Sequence, residues 1–175
     1  MVEQSRQYLS GLMQAVHKNI ERMTEVVAET EYQSLQHFTS HSPWDPQPVM
    51  DQVALDADHA LGGTADSALV LDESSNPKKG KKSVGVARQW CGRLGKVDNC
   101  QTGVYASLVQ GVAATIIACR LYLPKEWTDD RKRCKAAGVP EDVVFQTKSQ
   151  LVLYIVHHVR TLGVRWAWIG LDGGY

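Results

Sequence analysis

The chain has 175 residues, of which 43% are hydrophobic, and it carries 19 basic and 19 acidic side chains. This length suits one domain with a substantial core, or one domain with a small appendage. The longest apolar runs are too short to cross a bilayer and the first residues lack a secretory signal, which excludes a membrane partner and favours a cytoplasmic location.

The zero net charge hides a strong asymmetry along the chain. Residues 1–70 contain 3 basic and 10 acidic residues, whereas residues 71–175 contain 16 basic and 9 acidic ones. Between Glu73 and Asp98 there are seven basic residues and no acidic one: Lys78, Lys79, Lys81, Lys82, Arg88, Arg93 and Lys96. Such a run attracts polyanions, above all nucleic acid, although a solvated hairpin face would have the same composition.

The first third of the chain is predicted to be helical. Apolar residues recur at three- and four-residue steps over 5–30, a second helix is expected over 31–40, and a third over 48–60 with Val49, Val53 and Leu55 facing inward. Glycines 62 and 63 are expected to end the third helix. Short helices joined by tight turns could form a helix-turn-helix-like DNA-binding module, and packing alone would also explain the pattern.

Strands are predicted from residue 66 onward. They are expected over 67–72, over 83–91, from about 101, and over 113–123, with a turn at 74–80 and a polar connection at 93–99. Such closely spaced strands favour antiparallel hairpins. The charged segment 124–144 is predicted to be an irregular, solvated excursion.

A helix and a final strand follow that excursion. Thr147 and Gln150 are spaced as a capping box, and Gly163 is expected to end the helix that they begin. The strand predicted over 165–171 comes immediately afterwards, so the helix can serve as the crossover that makes this strand parallel to an earlier one.

Two apolar strands each lead into an aspartate. The run 68–71 precedes Asp72, and the run 166–171 precedes Asp172. If the two strands are parallel neighbours, both carboxylates lie at the same end of the sheet and can share a divalent metal ion. Glu73 is expected to point to the other face and is not counted as a ligand. The alternative is that the aspartates merely cap two unrelated turns.

Other metal-ligand patterns are weak. His37 and His41 would share a helix face without a third ligand nearby, and His157 and His158 lie within a helix, so all are expected to be surface or capping residues. The four cysteines form no CxxC pair and are expected to be reduced packing residues: Cys91, Cys100, Cys119 and Cys134.

Several blocks of this sequence, in order, resemble the bacterial insertion-sequence transposases of the DDE superfamily. The segments 71–89, 91–104, 120–130 and 137–140 resemble the region of the first catalytic aspartate, and 168–175 resembles that of the second. Segments 8–12 and 36–45 resemble the helical N-terminal part of the family.

This resemblance implies an α/β fold with a partial RNase H-like core over 64–175, built from antiparallel hairpins, a crossover helix and a parallel strand, preceded by a helical region over 1–63. It implies that Asp72 and Asp172 are catalytic and bind Mg²⁺ or Mn²⁺ in a two-metal site. It further implies DNA cleavage at element ends and strand transfer into target DNA. The basic run would then contact DNA phosphates at the terminal inverted repeats or the target, and assembly into a homo-oligomer is left open.

The third acidic residue of the family, a glutamate, has no counterpart among these residues. The chain is therefore expected to be a C-terminally truncated transposase that is inactive by itself. The alternative is a non-catalytic DNA-binding or assembly-blocking fragment that regulates transposition.

Overall fold

The computed structural model describes residues 1–173, so the last two residues of the 168–175 block lie outside the described residues. The chain divides into two compact units, residues 1–45 and the residues from Pro46 onward. Within the part that is described, no helix combines the length and the apolar character needed to cross a bilayer.

The N-terminal unit contains three helices: α1 (Val2–Gln14), α2 (Ile20–Val26) and α3 (Tyr32–Ser40). The single helix predicted over 5–30 is therefore wrong, whereas the one predicted over 31–40 is confirmed. The chain leaves the helical conformation at Ala15, and Asn19 starts the next helix by accepting a hydrogen bond from the Arg22 amide at 2.9 Å. The first amides of a new helix have no backbone partner within that helix, and the Asn19 side chain satisfies one of them.

Close packing explains why the break is favourable. A Cβ atom at Gly11 would lie 2.7 Å from Cβ of Met23, so the absence of a side chain lets α2 fold back onto α1. Met23, Ala15 and Leu35 form the small buried core of this unit. One long helix would leave these apolar side chains in water.

The second unit is built on a five-stranded sheet. Its strands are β1 (Ser67–Pro77), β2 (Ala87–Cys91), β3 (Lys96–Gln110), β4 (Ala113–Leu121) and β5 (Trp168–Gly170). The long strand β3 pairs antiparallel with β1 on one side and with β2 and β4 on the other, while β5 pairs parallel with β1. Antiparallel strands followed by a helix and a parallel strand are consistent with a partial RNase H-like core.

Three strand predictions need correction. The predicted turn at 74–80 begins late, because β1 stays paired with β3 as far as Pro77. The strand β2 begins at Ala87 rather than at 83. The predicted polar connection at 93–99 contains the end of a short 3-10 turn, Gly92–Leu94, and the first residues of β3. In the first and third cases, backbone pairing with a neighbouring strand outweighs the polar side chains.

Two helices, α4 (Gln47–Leu61) and α7 (Lys148–Thr161), pack on the same face of the sheet. The core there contains Leu69 and Leu71 of β1, with alanines of α4 and the apolar stripe of α7: Ala54, Ala57, Leu151, Val152, Ile155 and Val159. The inward face predicted for α4 is wrong, since Val49 and Val53 are exposed. Small alanines let α4 approach the sheet closely.

The predicted ends of α7 are confirmed. Thr147 accepts a hydrogen bond from the Gln150 amide at 3.2 Å, and the Gln150 side chain accepts one from the Thr147 amide at 2.8 Å. Gly163, at φ +91°, turns the chain out of the helix, a conformation that costs glycine little.

The segment 124–144 is not a solvated excursion. It contains α5 (Lys125–Thr128) and α6 (Arg131–Ala136), and Trp127 of α5 is fully buried. Trp127, Leu123 and Cys134 form a second core cluster in this unit. The charges of the segment lie on the outside of a packed element.

Candidate functional site

The parallel pairing of β1 and β5 sets the relative placement of the two aspartates. Val70 is aligned with Gly170. Asp72 lies two residues beyond Val70, and Asp172 lies two residues beyond Gly170, just after the strand ends. Continuing the parallel register by two residues brings Asp172, just after β5, level with Asp72 in the middle of β1.

Asp72 lies on the face of the sheet opposite the helices. The side chains of Leu69 and Leu71 are buried, whereas Asp72 is exposed. Its Oδ1 accepts a hydrogen bond from the Glu73 amide at 2.7 Å, and its neighbour across the ladder is Tyr105. Among residues 1–173, no salt bridge involves Asp72. Its carboxylate is thus accessible and can accept a cation.

Glu73 lies on the other face, as its place in the alternation predicts. It forms an ion pair with Lys148 at the start of α7, and the Lys148 ammonium lies 5.5 Å from the centre of the Tyr122 ring. This contact ties the middle of β1 to the crossover helix. Glu73 therefore has a structural role as the partner of Lys148.

The described residues contain no cluster of three or more His, Cys, Asp or Glu side chains arranged to hold an ion. Asp72 and Asp172 carry the hard carboxylate oxygens that Mg²⁺ and Mn²⁺ prefer. The donor chemistry of these two side chains therefore suits those ions.

An ion pair between α4 and the entry to β5 holds this arrangement in place. Asp58 is buried and accepts hydrogen bonds from the Arg165 amide at 2.7 Å and from Arg165 Nε at 3.0 Å. Burial acts to raise the pKa of Asp58, but the hydrogen bonds and charge of Arg165 outweigh it and leave this pKa below its usual value. Asp58 therefore stays ionised and fixes the segment that leads into β5.

Two further hydrogen bonds fix the start of β5. The Ala167 amide donates to the Ser67 carbonyl at 2.9 Å, and the Trp168 indole donates to the Ala65 carbonyl at 2.7 Å. These bonds join β5 to the segment that begins β1. They matter because the ladder between the two strands contains only three residue pairs.

The basic run is spread over a loop and a hairpin. Lys78, Lys79, Lys81 and Lys82 are exposed in the loop that follows β1. Arg88 is exposed on β2, and Arg93 lies in the 3-10 turn. Lys96 pairs with Asp98 at 2.9 Å, and this hydrogen bond lowers the pKa of Asp98. The run is therefore a largely exposed cationic surface.

The backbone of the lysine loop is held from the β3 side. The Asn99 side-chain amide donates to the carbonyls of Lys78 and Gly80, and the Lys78 amide donates to the Asn99 carbonyl at 2.9 Å. These bonds keep the carbonyls turned toward the sheet. The lysine side chains are left in solvent.

The same loop is also held from the α5–α6 side. The Arg133 guanidinium donates to the Lys81 carbonyl at 2.9 Å and to the Val86 carbonyl at 3.3 Å, and the Trp127 indole donates to the Val86 carbonyl at 2.9 Å. Arg133 stacks 3.7 Å from the centre of the Trp127 ring. The sequence pattern missed Asn99, Trp127 and Arg133, although a tryptophan within a charged segment is a signal of packing.

We expect Asp58→Asn to lower the free energy of unfolding by about 2 kcal/mol at pH 7, because a buried hydrogen-bonded charge is lost. The folded-state pKa of Asp58 is depressed, so its contribution is present above the unfolded pKa of about 4 and is lost as the pH falls through the folded value. Urea unfolding at pH 7 and near pH 2 measures this difference, which should shrink at the lower pH.

Asp56→Asn is the matched control for that change. Asp56 lies on the same helix but is exposed and bonded only within α4, to Gln52, so its effect should stay within about 0.5 kcal/mol. Equal losses in both variants would contradict the assigned role of Asp58.

We expect Arg133→Lys to loosen the lysine loop, because an ammonium cannot both stack on Trp127 and reach two carbonyls. The amides of residues 78–86 should exchange with solvent at least several-fold faster, as measured by hydrogen exchange with mass spectrometry. Arg131→Lys is the matched control, since Arg131 on the same helix donates to the Val143 carbonyl instead. Unchanged exchange in Arg133→Lys would show that the hydrogen bonds from Arg133 to the Lys81 and Val86 carbonyls do not hold the loop in place.

The family described as DDE superfamily endonuclease matches residues 2–175 of the chain. A protein of Microchaete diplosiphon, named as the probable transposase for insertion sequence element IS701, is 27% identical over 158 residues. That similarity covers 90% of this chain and 38% of the relative, so the chain spans well under half the length of the relative. No solved structure shows a significant match.

Proposed function

The chain belongs to the DDE superfamily endonuclease family, and from that premise we propose that it carries part of the catalytic domain of a bacterial insertion-sequence transposase. The reaction proposed for the whole protein is metal-dependent cleavage of DNA at element ends followed by strand transfer. The observation that supports it best is the parallel pairing of β1 with β5, since this pairing aligns the two aspartates of the family pattern.

In this proposal Asp72 and Asp172 hold Mg²⁺ or Mn²⁺. When bound, these ions supply activation of the attacking water or 3′-hydroxyl and stabilisation of the leaving oxygen. The protein contributes the placement of the carboxylates. Asp58 and Arg165 position the segment before β5, and Glu73 with Lys148 ties the middle of β1 to α7.

The 175-residue polypeptide by itself is proposed to be inactive. The family pattern requires a glutamate as a third acidic residue, and residues 1–173 bring no third carboxylate into a metal cluster. Two carboxylates hold ions loosely and leave the in-line geometry poorly fixed. The expected partners are element-end and target DNA, which would place the protein in the bacterial cytoplasm, and homo-oligomerisation stays a prediction.

Mn²⁺ binding tests the metal site directly. We expect the purified chain to bind Mn²⁺ weakly, and both Asp72→Asn and Asp172→Asn to reduce the affinity at least about tenfold, because each removes a carboxylate ligand. Electron paramagnetic resonance of free Mn²⁺ measures this. Glu73→Gln is the matched control and should bind as the wild type does, since Glu73 faces Lys148.

A nicking assay tests the proposed inactivity. Supercoiled plasmid that carries the element ends should remain intact with the wild-type chain and Mg²⁺. Metal-dependent nicking that disappears in Asp72→Ala would show that this polypeptide is active by itself.

In the Mn²⁺-binding experiment, loss of binding in Glu73→Gln but not in Asp72→Asn would refute the proposed ligands.

A second candidate function is DNA binding without catalysis, as a fragment that blocks assembly of the full enzyme. The clamped loop with its exposed lysines favours it. Such a fragment would bind DNA in a strongly salt-dependent manner and would give no metal-dependent product.

Neutralising one lysine of the loop tests that binding. Lys81→Gln should weaken DNA binding and lower the slope of log K against log salt by about 0.9, because one phosphate contact is lost. Fluorescence anisotropy of a labelled duplex between about 50 and 200 mM salt measures both quantities. Arg160→Gln, an exposed cation of α7, is the control, and an equal change there would mean that only net charge matters.

A further inference from the structure

The basic hairpin carries one feature that phosphate binding does not explain, the exposed indole of Trp90. Trp90 lies on β2 and is 54% exposed, and its partner across the ladder, Val97, is 51% exposed. A Cβ atom at Gly92 would lie 3.9 Å from the indole nitrogen. Within the described part of the chain, no hydrogen bond or ring contact engages this indole. Trp90 and Val97 thus form an exposed apolar pair across two strands, and contiguous exposed apolar surface that polar residues surround is typical of interaction sites.

The alternation along β3 relates Trp90 to Asp72. Val97 aligns with Trp90, and Tyr105 aligns with Asp72. Successive strand residues point to opposite faces, so Val97 and Tyr105, eight positions apart, lie on one face. Trp90 and Asp72 therefore share the face of the sheet that the helices leave uncovered. At the usual rise along a strand, their partners Val97 and Tyr105 lie about 26 Å apart along β3.

The charge around Trp90 identifies the class of partner. Arg88 lies two residues away on the same strand and Arg93 lies in the adjoining turn, both exposed. No acidic residue occurs between Glu73 and Asp98. An apolar protein partner would have to take these cations out of water, which is costly. A nucleic acid satisfies both features, since phosphates pair with arginines and bases stack on aromatic rings.

We propose that Trp90 stacks on an unpaired base of the DNA that this surface binds. The inference rests on the proposed function and deepens it, because it gives the surface a base contact in addition to its phosphate contacts. Arg88 and Arg93 hold the backbone on either side of the stacked nucleotide. The contact is tolerant of sequence, since every base offers a flat aromatic face.

The test compares three labelled DNAs: a single strand, a duplex with one unpaired base, and a fully paired duplex. Trp90→Ala should weaken binding to the first two about tenfold and leave the paired duplex nearly unchanged. Trp90→Phe should retain most of the affinity, because a phenyl ring also stacks. The salt dependence should not change, since no charge is removed.

Leu94→Ala is the matched control. Leu94 is an exposed apolar residue in the adjoining turn, 44% exposed, but it cannot stack on a base. Equal losses in Leu94→Ala and Trp90→Ala, or an equal loss in Trp90→Phe, would overturn the inference. Salt-dependent DNA binding that is unchanged in Trp90→Ala would refute only the stacking. No binding to any of the DNAs would refute the proposed function as well.

Discussion

The arrangement of the candidate site depends on one short parallel pairing. The ladder between β1 and β5 has three residue pairs, too few to fix a strand by backbone bonds alone, and parallel pairing is slightly the weaker kind. The buried Asp58–Arg165 pair and the bonds from Ala167 and Trp168 supply the rest. The placement of Asp172 is therefore determined by contacts made before its own strand begins.

The sheet separates stability from chemistry by its two faces. One face of β1 contributes Leu69 and Leu71 to the core under α4 and α7, while the other presents Asp72. Because strand alternation is strict, each residue that strengthens the core leaves its neighbours on the outer face free for a different use. Glu73 shows this separation, since it is adjacent to Asp72 in sequence but lies on the opposite face, where it pairs with Lys148 of α7.

Local signals predicted the parts of the fold that local interactions determine. The capping box at Thr147 and the stop at Gly163 depend on residues close in sequence, and both are present. The parallel final strand pairs residues a hundred positions apart, and it was predicted from the order of the elements, a helix that leads directly into a strand. The break in the first helix was missed because it depends on Gly11 meeting Met23, a contact between residues twelve positions apart. The inward face of α4 was missed for a similar reason, since close approach to the sheet favours alanine over the larger valines.

The hydrogen bonds that Arg133 makes to the lysine loop were the contacts least predictable from the sequence. They explain how a cationic loop can hold a defined conformation. Arg133 meets the carbonyls of Lys81 and Val86 across 52 and 47 positions of sequence, so no periodicity could reveal it. Four neighbouring ammonium groups repel one another and favour a loose ensemble of conformations. Hydrogen bonds to the backbone carbonyls oppose that tendency without neutralising any lysine. The loop thus keeps its full charge in one conformation, and a phosphate that binds there pays little of the ordering entropy that a flexible basic segment would require.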